Sequence, residues 1–245
     1  PAKASVIAGF MCAVSGAHMN PAMTLAFAAW RGFPRGKVLP YVAAQLVGAI
    51  AGAAVLYALF HNITVHFEAI HHLVRGQAGS ELSAMTYGEY FPNPALVAAG
   101  SLSFESVTHL QAMLAEAIGT AFLGFFVFAV TDERNPGRPT GTTFALFIGL
   151  TVSIIISIVA PLTQAGLNPA RDFGPRLFSY FAGWGEIAIP GPRGGFFTVY
   201  ILAPILGGLT GSAIYEHLLS PGLLRNQESE TGIHEVMDDE RVLSR

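Results

Sequence analysis

Charge is scarce in this sequence. Of its 245 residues only 12% are Asp, Glu, Lys or Arg, about half the share usual in a soluble domain. Cysteine occurs once, at Cys12, which excludes an internal disulfide framework and a cysteine-based metal site. The net charge of -3 offers nothing to a nucleic acid. No nucleophile–base set and no metal-ligand cluster falls in the apolar segments, so the pattern supports neither an enzyme nor a bound metal or cofactor. What is abundant is apolar surface and glycine: 52% of residues are hydrophobic and 27 are Gly. That combination points to membrane helices, whose contacts favour small residues.

Four segments are long and apolar enough to cross a bilayer, which takes roughly 20 residues. They cover 38–60, 111–130, 141–160 and 196–219. The run Ser5 to Val14 is too short to span and has no cleavage-site flank, so it is either re-entrant or the end of a helix that starts upstream. Between the spans lie a basic turn at 31–37, a connector from His61 to Thr108, a polar loop at 131–140 and a Gly/Pro-rich loop at 183–195. The connector is expected to be exposed, with a short helical piece; its His61, His66, His71 and His72 read as solvent-side loop residues rather than a metal site. From Ser220 the chain reads as a solvated tail.

Two stretches organise the rest. Ser15-Gly16-Ala17-His18-Met19-Asn20-Pro21-Ala22 has a counterpart in Gly166-Leu167-Asn168-Pro169-Ala170-Arg171-Asp172. Each runs into Asn-Pro-Ala, each is followed by a short helical stretch, and each lies in apolar surroundings. Asn is a favoured N-cap and Pro suits the first helical position. The spans repeat too: Ala44–Gly52 aligns with Ala203–Gly211, both carrying Gly-xxx-Gly, a spacing that lets helices approach closely. Three full spans separate the two caps. An odd number of crossings puts them on opposite sides of the membrane, as in an inverted repeat whose broken helices meet near the midplane. The chain then divides into a first repeat at 1–60, a connector at 61–110, a second repeat at 111–219 and a cytosolic tail at 220–245. The second repeat has two spans before its cap and the first about half of one, so one and a half helices are expected upstream of Pro1.

Such caps carry a chemical consequence. If each Asn oxygen accepts a backbone N–H of its own helix, the amide NH2 is left to donate. Asn20 and Asn168 would hold a passing water by its oxygen, and the two helix N-termini would repel cations. The preceding stretches, Gly16, Ala17, His18, Met19 and Gln164, Gly166, Leu167, are expected to be extended, with carbonyls facing a passage. Irregular backbone at membrane depth is tolerated where it lines a cavity. Arg171, one turn into the second half-helix, reads as a functional charge. Asp172 is expected to fix local geometry, Glu116 to accept N–H groups of a re-entrant loop, and His18 to brace the first one. The third copy, Asn93-Pro94-Ala95, reads as an ordinary turn.

With these motifs in hand the chain resembles the major intrinsic proteins, and among them the aquaglyceroporins, over nearly all its length to about residue 219. Asn-Pro-Ala-Arg-Asp-Phe-Gly-Pro-Arg, the connector's Phe67-Glu68 and His71-His72-Leu-Val-Arg-Gly76, and the Phe91-Pro92-Asn93-Pro94 turn all look like that branch. So do Asp172, Arg176 and Pro204-Ile205. The resemblance implies an all-α inverted repeat with six spans and two half-helices. It implies a homotetramer in the bilayer and passive flux of glycerol, water and similar small uncharged solutes through each subunit. It places a selectivity filter at Arg171, Ala165 and Ile156, with a fourth position upstream of Pro1. Ile156 stands where water-selective members have His and glycerol channels usually Gly. Ala165 stands where bacterial glycerol facilitators have an aromatic. Both look closer to plant nodulin-like members, which leaves glycerol, other polyols, urea and metalloid acids open. A secondary transporter of a small polyol and a poorly conducting junctional protein are the competing readings. Basic loops at 31–37 and 134–138 place those loops and the tail in the cytosol, and the connector outside, of what is expected to be the plasma membrane.

Overall fold

The computed structural model describes residues 15–139 and 143–223. The readings of 5–14, of Cys12 and of the tail beyond 223 lie outside the described residues. The regular elements among them are all helices, with no strand. In chain order the main helices are α1 (Pro21–Trp30), α2 (Val38–Ile70), α3 (His109–Thr131), α4 (Thr143–Thr163), α5 (Pro169–Ser179) and α6 (Thr198–Leu223). Four of them, α2, α3, α4 and α6, are long and apolar enough to span a membrane. They are the four spans that hydropathy marks; α1 and α5 are the short helices after the caps.

Two boundaries differ, and the connector is not the exposed segment expected, since Ser80, Glu81, Ala84, Tyr87, Glu89 and Phe91 are buried against the helices. At the C-terminal end α6 runs on to Leu223 with Ser220 buried, where the sequence reads as tail. The polar stretch from His61 reads as connector, yet α2 continues through His61 and His66 to Ile70. His-Asn-Ile-Thr-Val-His-Phe-Glu-Ala-Ile contains neither Gly nor Pro, so nothing stops the helix. Its inner face stays closed, with Thr64 and Glu68 buried. At 33 residues α2 is about 50 Å long, well beyond the roughly 30 Å hydrocarbon core. Glu68 thereby reaches Arg75, which donates to it at 2.8 and 3.2 Å and lies over the Trp184 ring at 4.0 Å. Burial lowers the Arg75 guanidinium, but the bonds to Glu68 and Tyr57 outweigh it and hold it above its ordinary value.

The two repeats exchange their half-helices. α1 packs on α6 and α5 packs on α2. The contacts are at equivalent positions of the aligned spans. A Cβ built on Gly174 of α5 would lie 2.6 Å from the Ala49 Cβ, and one on Gly208 of α6 would lie 3.3 Å from the Ala22 Cβ. Each span keeps a small residue where the other repeat's broken helix crosses it. The Gly-xxx-Gly spacing is used unequally. A Cβ at Gly207 would fall 2.0 Å from the Ala117 carbonyl oxygen and one at Gly211 1.8 Å from that of Ala121, so α6 and α3 touch backbone to backbone. Gly48 and Gly52 meet nothing within 4 Å, so the close approach expected of the first copy is not made among the described residues.

Gly211→Leu is therefore expected to cost more than the roughly 1–3 kcal/mol of ordinary overpacking, since main chain cannot step aside. Detergent-solubilised protein should lose its monodisperse, cooperatively melting species, while Gly36→Ala, with open space at its Cβ, should melt like the parent. A Gly211→Leu variant with parental melting would contradict the seam.

At one end a charge cluster ties three helices. Arg31 donates to Glu216 (3.0 Å), Thr131 (3.0 Å) and the Phe128 carbonyl (3.0 Å); Arg134 donates to Asp132 (2.9 Å) and Glu216 (2.9 Å). Burial pushes the Asp132 carboxyl up, but hydrogen bonds from Arg134 and Tyr215 outweigh it and hold it below the usual carboxylate range. Arg31 and Arg134 share Glu216, so the loops that follow α1 and α3 lie at the same end of the molecule.

Candidate functional site

Both Asn-Pro-Ala stretches begin helices, and both Asn side chains cap them. Asn20 Oδ1 accepts from the Ala22 N–H at 2.9 Å; Asn168 Oδ1 accepts from Ala170 and Arg171 at 3.1 and 3.2 Å. Pro21 and Pro169 take the first helical position, where no donor is needed. The amides do more than await a solute. Asn20 Nδ2 donates to the Leu167 carbonyl at 2.9 Å, and Asn168 Nδ2 donates to the Met19 carbonyl at 2.8 Å. Each cap thus bonds the residue that precedes the other. This reciprocal latch joins residues nearly 150 positions apart at the point where the two half-helices meet.

The stretches ahead of the caps are not the extended backbone expected; three residues of each turn into the left-handed region. Gly16, Ala17 and Met19 have φ of 73°, 47° and 48°; Gln164, Ala165 and Leu167 have 63°, 61° and 55°. These are the fourth, third and first residues before each Asn, so the repeat holds at the level of single dihedrals. Five of the six are not glycine. Each such L-residue costs about 1–2 kcal/mol, and a cluster of them persists only where surrounding bonds hold it.

Glu116 supplies those bonds in the second stretch. It lies fully buried in α3. Its Oε1 accepts from Gly166 N–H (2.8 Å) and Thr163 Oγ1 (2.6 Å), and its Oε2 from Leu167 N–H (2.7 Å). Gly166 is needed for this closeness, because a Cβ there would sit 2.8 Å from the Tyr200 ring and 3.3 Å from Glu116 Oε2. In the first stretch His18 stacks on Phe27 with ring centroids 4.7 Å apart and meets Phe33 edge-on at 4.7 Å; Tyr41 bonds the Ser15 carbonyl at 2.9 Å.

Two cavities adjoin the latch. One, of about 310 Å³, is lined by Gly16, Met19, Asn20, Ile156, Ala165, Gly166, Leu167 and Arg171, and extends to Phe144 and Thr131 near the charge cluster. The other, of about 950 Å³, is lined by Gln45, Glu89, Gln164 and Arg171 and reaches Met85 and Tyr87 of the connector. Ala17, His18, Met19, Asn168 and Arg171 line both. Ile156 of α4, Ala165 of the loop after it and Arg171 of α5 are therefore together at one cavity, and all seven residues expected to present carbonyls line one or the other.

Residues 3–215 match the model of the family described as Major intrinsic protein. The chain belongs to the major intrinsic protein family. Among its relatives, the glycerol uptake facilitator protein of Haemophilus influenzae is 39% identical over 211 residues, covering 86% of this chain and 75% of that one. The propanediol uptake facilitator PduF of Salmonella typhimurium is 40% identical over 215 residues, covering 87% and 76%. The fold is similar to the X-ray structure of the aquaglyceroporin from Plasmodium falciparum, with a TM-score of 0.70 at 24% identity, over 86% of this chain and 76% of that one.

Against this family background, two features of the site escape a reading of the sequence. Arg176 is not a free basic residue of α5. It is 1% exposed, bonds Asp172 at 2.9 and 3.0 Å and the Ala188 carbonyl at 2.8 Å, and also donates to the Glu89 carbonyl. Asp172 in turn accepts from the Glu89 N–H at 2.7 Å. Glu89 itself, in the connector, forms an ion pair with Arg171. The only local hint was an acid just ahead of the Phe91-Pro92-Asn93-Pro94 turn. The third Asn-Pro-Ala caps a short helix just as the others do, with Asn93 Oδ1 accepting from Ala95 at 3.0 Å, but its amide donates to Ala160 at the end of α4 and docks the connector there.

Proposed function

We propose that this protein is a passive transmembrane channel for glycerol and other small uncharged solutes, water included, that excludes protons and ions. It is a multi-pass membrane protein and not an enzyme, as its family is. The observation that carries the reading is the latch: two half-helix N-termini face each other with Asn20 and Asn168 cross-bonded, and a cavity opens on either side. Glycerol and propanediol facilitators among the relatives support the solute class.

The latch refines how exclusion works. One N–H of each amide is spent on the opposing carbonyl, which fixes the plane of the amide. Its second N–H remains to donate to a passing oxygen, and neither amide offers an acceptor beyond its cap. A water held there points its hydrogens outward from both Asn residues, which interrupts proton hopping, and the helix dipoles add positive potential. The carbonyls of Gly16, Ala17, His18 and Gln164, Gly166 are the acceptors that lead solutes to that point. Ile156 and Ala165 present carbon opposite the Arg171 guanidinium, which suits a molecule with one hydroxyl edge and one carbon edge. We further propose a homotetramer in the plasma membrane, with the basic loops and tail cytosolic; the clustering of Arg31 and Arg134 at one end supports that orientation.

Stopped-flow light scattering on liposomes holding the full-length protein tests the claim. Glycerol permeability is expected to rise well above that of empty vesicles and to be independent of proton or sodium gradients. Permeability equal to empty vesicles would sink the channel reading, and gradient dependence would favour a secondary transporter.

A further inference from the structure

The filter positions at 156, 165 and 171 leave one polar problem unsolved. A guanidinium only donates. A polyol hydroxyl both donates and accepts, yet Arg171, Ile156 and Ala165 offer its hydrogen no side-chain acceptor, only main-chain carbonyls such as that of Gln164 at the same cavity. A lone guanidinium at a constriction would also invite anions.

Glu89 answers both points. It is 3% exposed, lines the 950 Å³ cavity together with Arg171, and pairs with that arginine. Its Oε2 is buried with no hydrogen-bond partner among the described residues. Its backbone is clamped on both sides, the N–H by Asp172 at 2.7 Å and the carbonyl by Arg176. The next N–H, of Tyr90, is held by Gln164 Oε1 at 2.8 Å. Gly88 permits this approach, since a Cβ there would lie 3.1 Å from the Arg176 guanidinium carbon. A connector segment held this firmly, by the residue that follows Arg171 and by one just ahead of Ala165, is built into the filter rather than draped over it. Among described residues, the charged groups at this point are Arg171, Asp172 and Arg176, with Glu81 of the same connector near enough to act on Tyr90.

We infer that Glu89 is a specificity-determining member of the filter, forming with Arg171 a charge-compensated acceptor–donor pair that favours small solutes with adjacent hydroxyl groups over water and over small anions. Arg171 donates to one hydroxyl oxygen while Glu89 accepts the hydrogen of its neighbour. The pair is close to neutral, so no ion gains from it. This rests on the polyol-channel reading above.

The test uses the full-length protein in liposomes, comparing the parent with Glu89→Gln and Glu89→Asp. Glycerol, water and nitrate permeabilities are measured in the same vesicles, and oligomeric state is checked by size exclusion in detergent. Glu89→Gln keeps size but removes the charge and leaves Arg171 uncompensated. Exchanging a charge-assisted hydrogen bond for a neutral one is expected to lower the glycerol-to-water ratio about tenfold and to open a nitrate leak. Glu89→Asp keeps the charge but withdraws it by one methylene; its ratio should fall less and nitrate should stay excluded. Parental ratio and no nitrate leak in Glu89→Gln would overturn the inference. So would a folded Glu89→Asp that matches Glu89→Gln in both. If Glu89→Gln does not assemble, an unchanged glycerol-to-water ratio in Glu89→Asp overturns it and a reduced ratio without nitrate leak supports it. A parent that conducts no glycerol defeats the channel reading and this inference together, whereas a conducting parent with unaltered variants defeats this inference alone.

Discussion

Glu116→Ala is expected to bring glycerol permeability down to that of empty liposomes. The side chain touches no solute path, so the effect runs through the backbone. Glu116 accepts three hydrogen bonds, from Gly166, Leu167 and Thr163, in a fully buried position. Removing it leaves two N–H groups and a hydroxyl without that partner, at about 1–3 kcal/mol each. Those bonds hold a loop whose Gln164, Ala165 and Leu167 sit in the left-handed region, at about 1–2 kcal/mol apiece. The two sums are comparable, so the loop keeps its shape only while the carboxylate is present. Once it relaxes, the Leu167 carbonyl moves off Asn20 and half of the latch is lost. Glu116→Gln should fall between. Its oxygen can replace Oε1, but its NH2 then faces the Leu167 N–H, donor against donor. Stopped-flow glycerol permeability is the readout. Parental flux in Glu116→Ala would mean that the loop is held by other contacts, such as the Tyr200 hydroxyl on the Thr163 carbonyl at 3.2 Å.

Asn168→Asp is expected to convert exclusion of cations into leak. Aspartate caps as well as asparagine, so α5 should still begin at Pro169 with bonds to the N–H groups of Ala170 and Arg171. What changes is the other side of the group. The Nδ2 that donates to the Met19 carbonyl at 2.8 Å becomes an oxygen facing an oxygen. A bond is replaced by repulsion, and a negative charge appears where both half-helices had presented positive potential. Glycerol flux should fall several-fold as the latch opens, and proton or sodium conductance should become measurable in planar bilayers. A variant with parental ion tightness would show that the latch, and the choice of amide over carboxylate, does not guard against cations. Asn20→Asp is the internal comparison, because it removes the symmetry-related bond to Leu167.

How much of this was legible in the sequence depends on how local each determinant is. The spans, the two half-helices and their caps were legible because each rests on neighbouring residues. A bilayer demands a continuous apolar run with its own backbone bonds satisfied, and Asn followed by Pro starts a helix wherever it occurs. For the same reason the sequence could not rank its three Asn-Pro-Ala copies by local chemistry. Asn93 caps as Asn20 and Asn168 do, and repeat context alone separated them. The end of α2 was misread because His61–Ile70 is polar on one face only, and whether that face meets water or the Arg75 side chain is a question about the connector.

What the sequence determined by itself, then, is the membrane architecture and the inverted pairing of the caps, each fixed by composition or spacing. Only the tertiary structure decided that each Asn amide is bonded to the carbonyl ahead of the other, that strain at Ala17, Met19, Ala165 and Leu167 repeats in register, and that Asp172 and Arg176 clamp Glu89 onto Arg171. These are contacts between residues tens to more than a hundred positions apart, with no sequence pattern of their own. Their partners are chosen by how the two repeats cross, with Ala49 against Gly174 and Ala22 against Gly208, and a crossing is a property of the folded pair rather than of either strand of sequence.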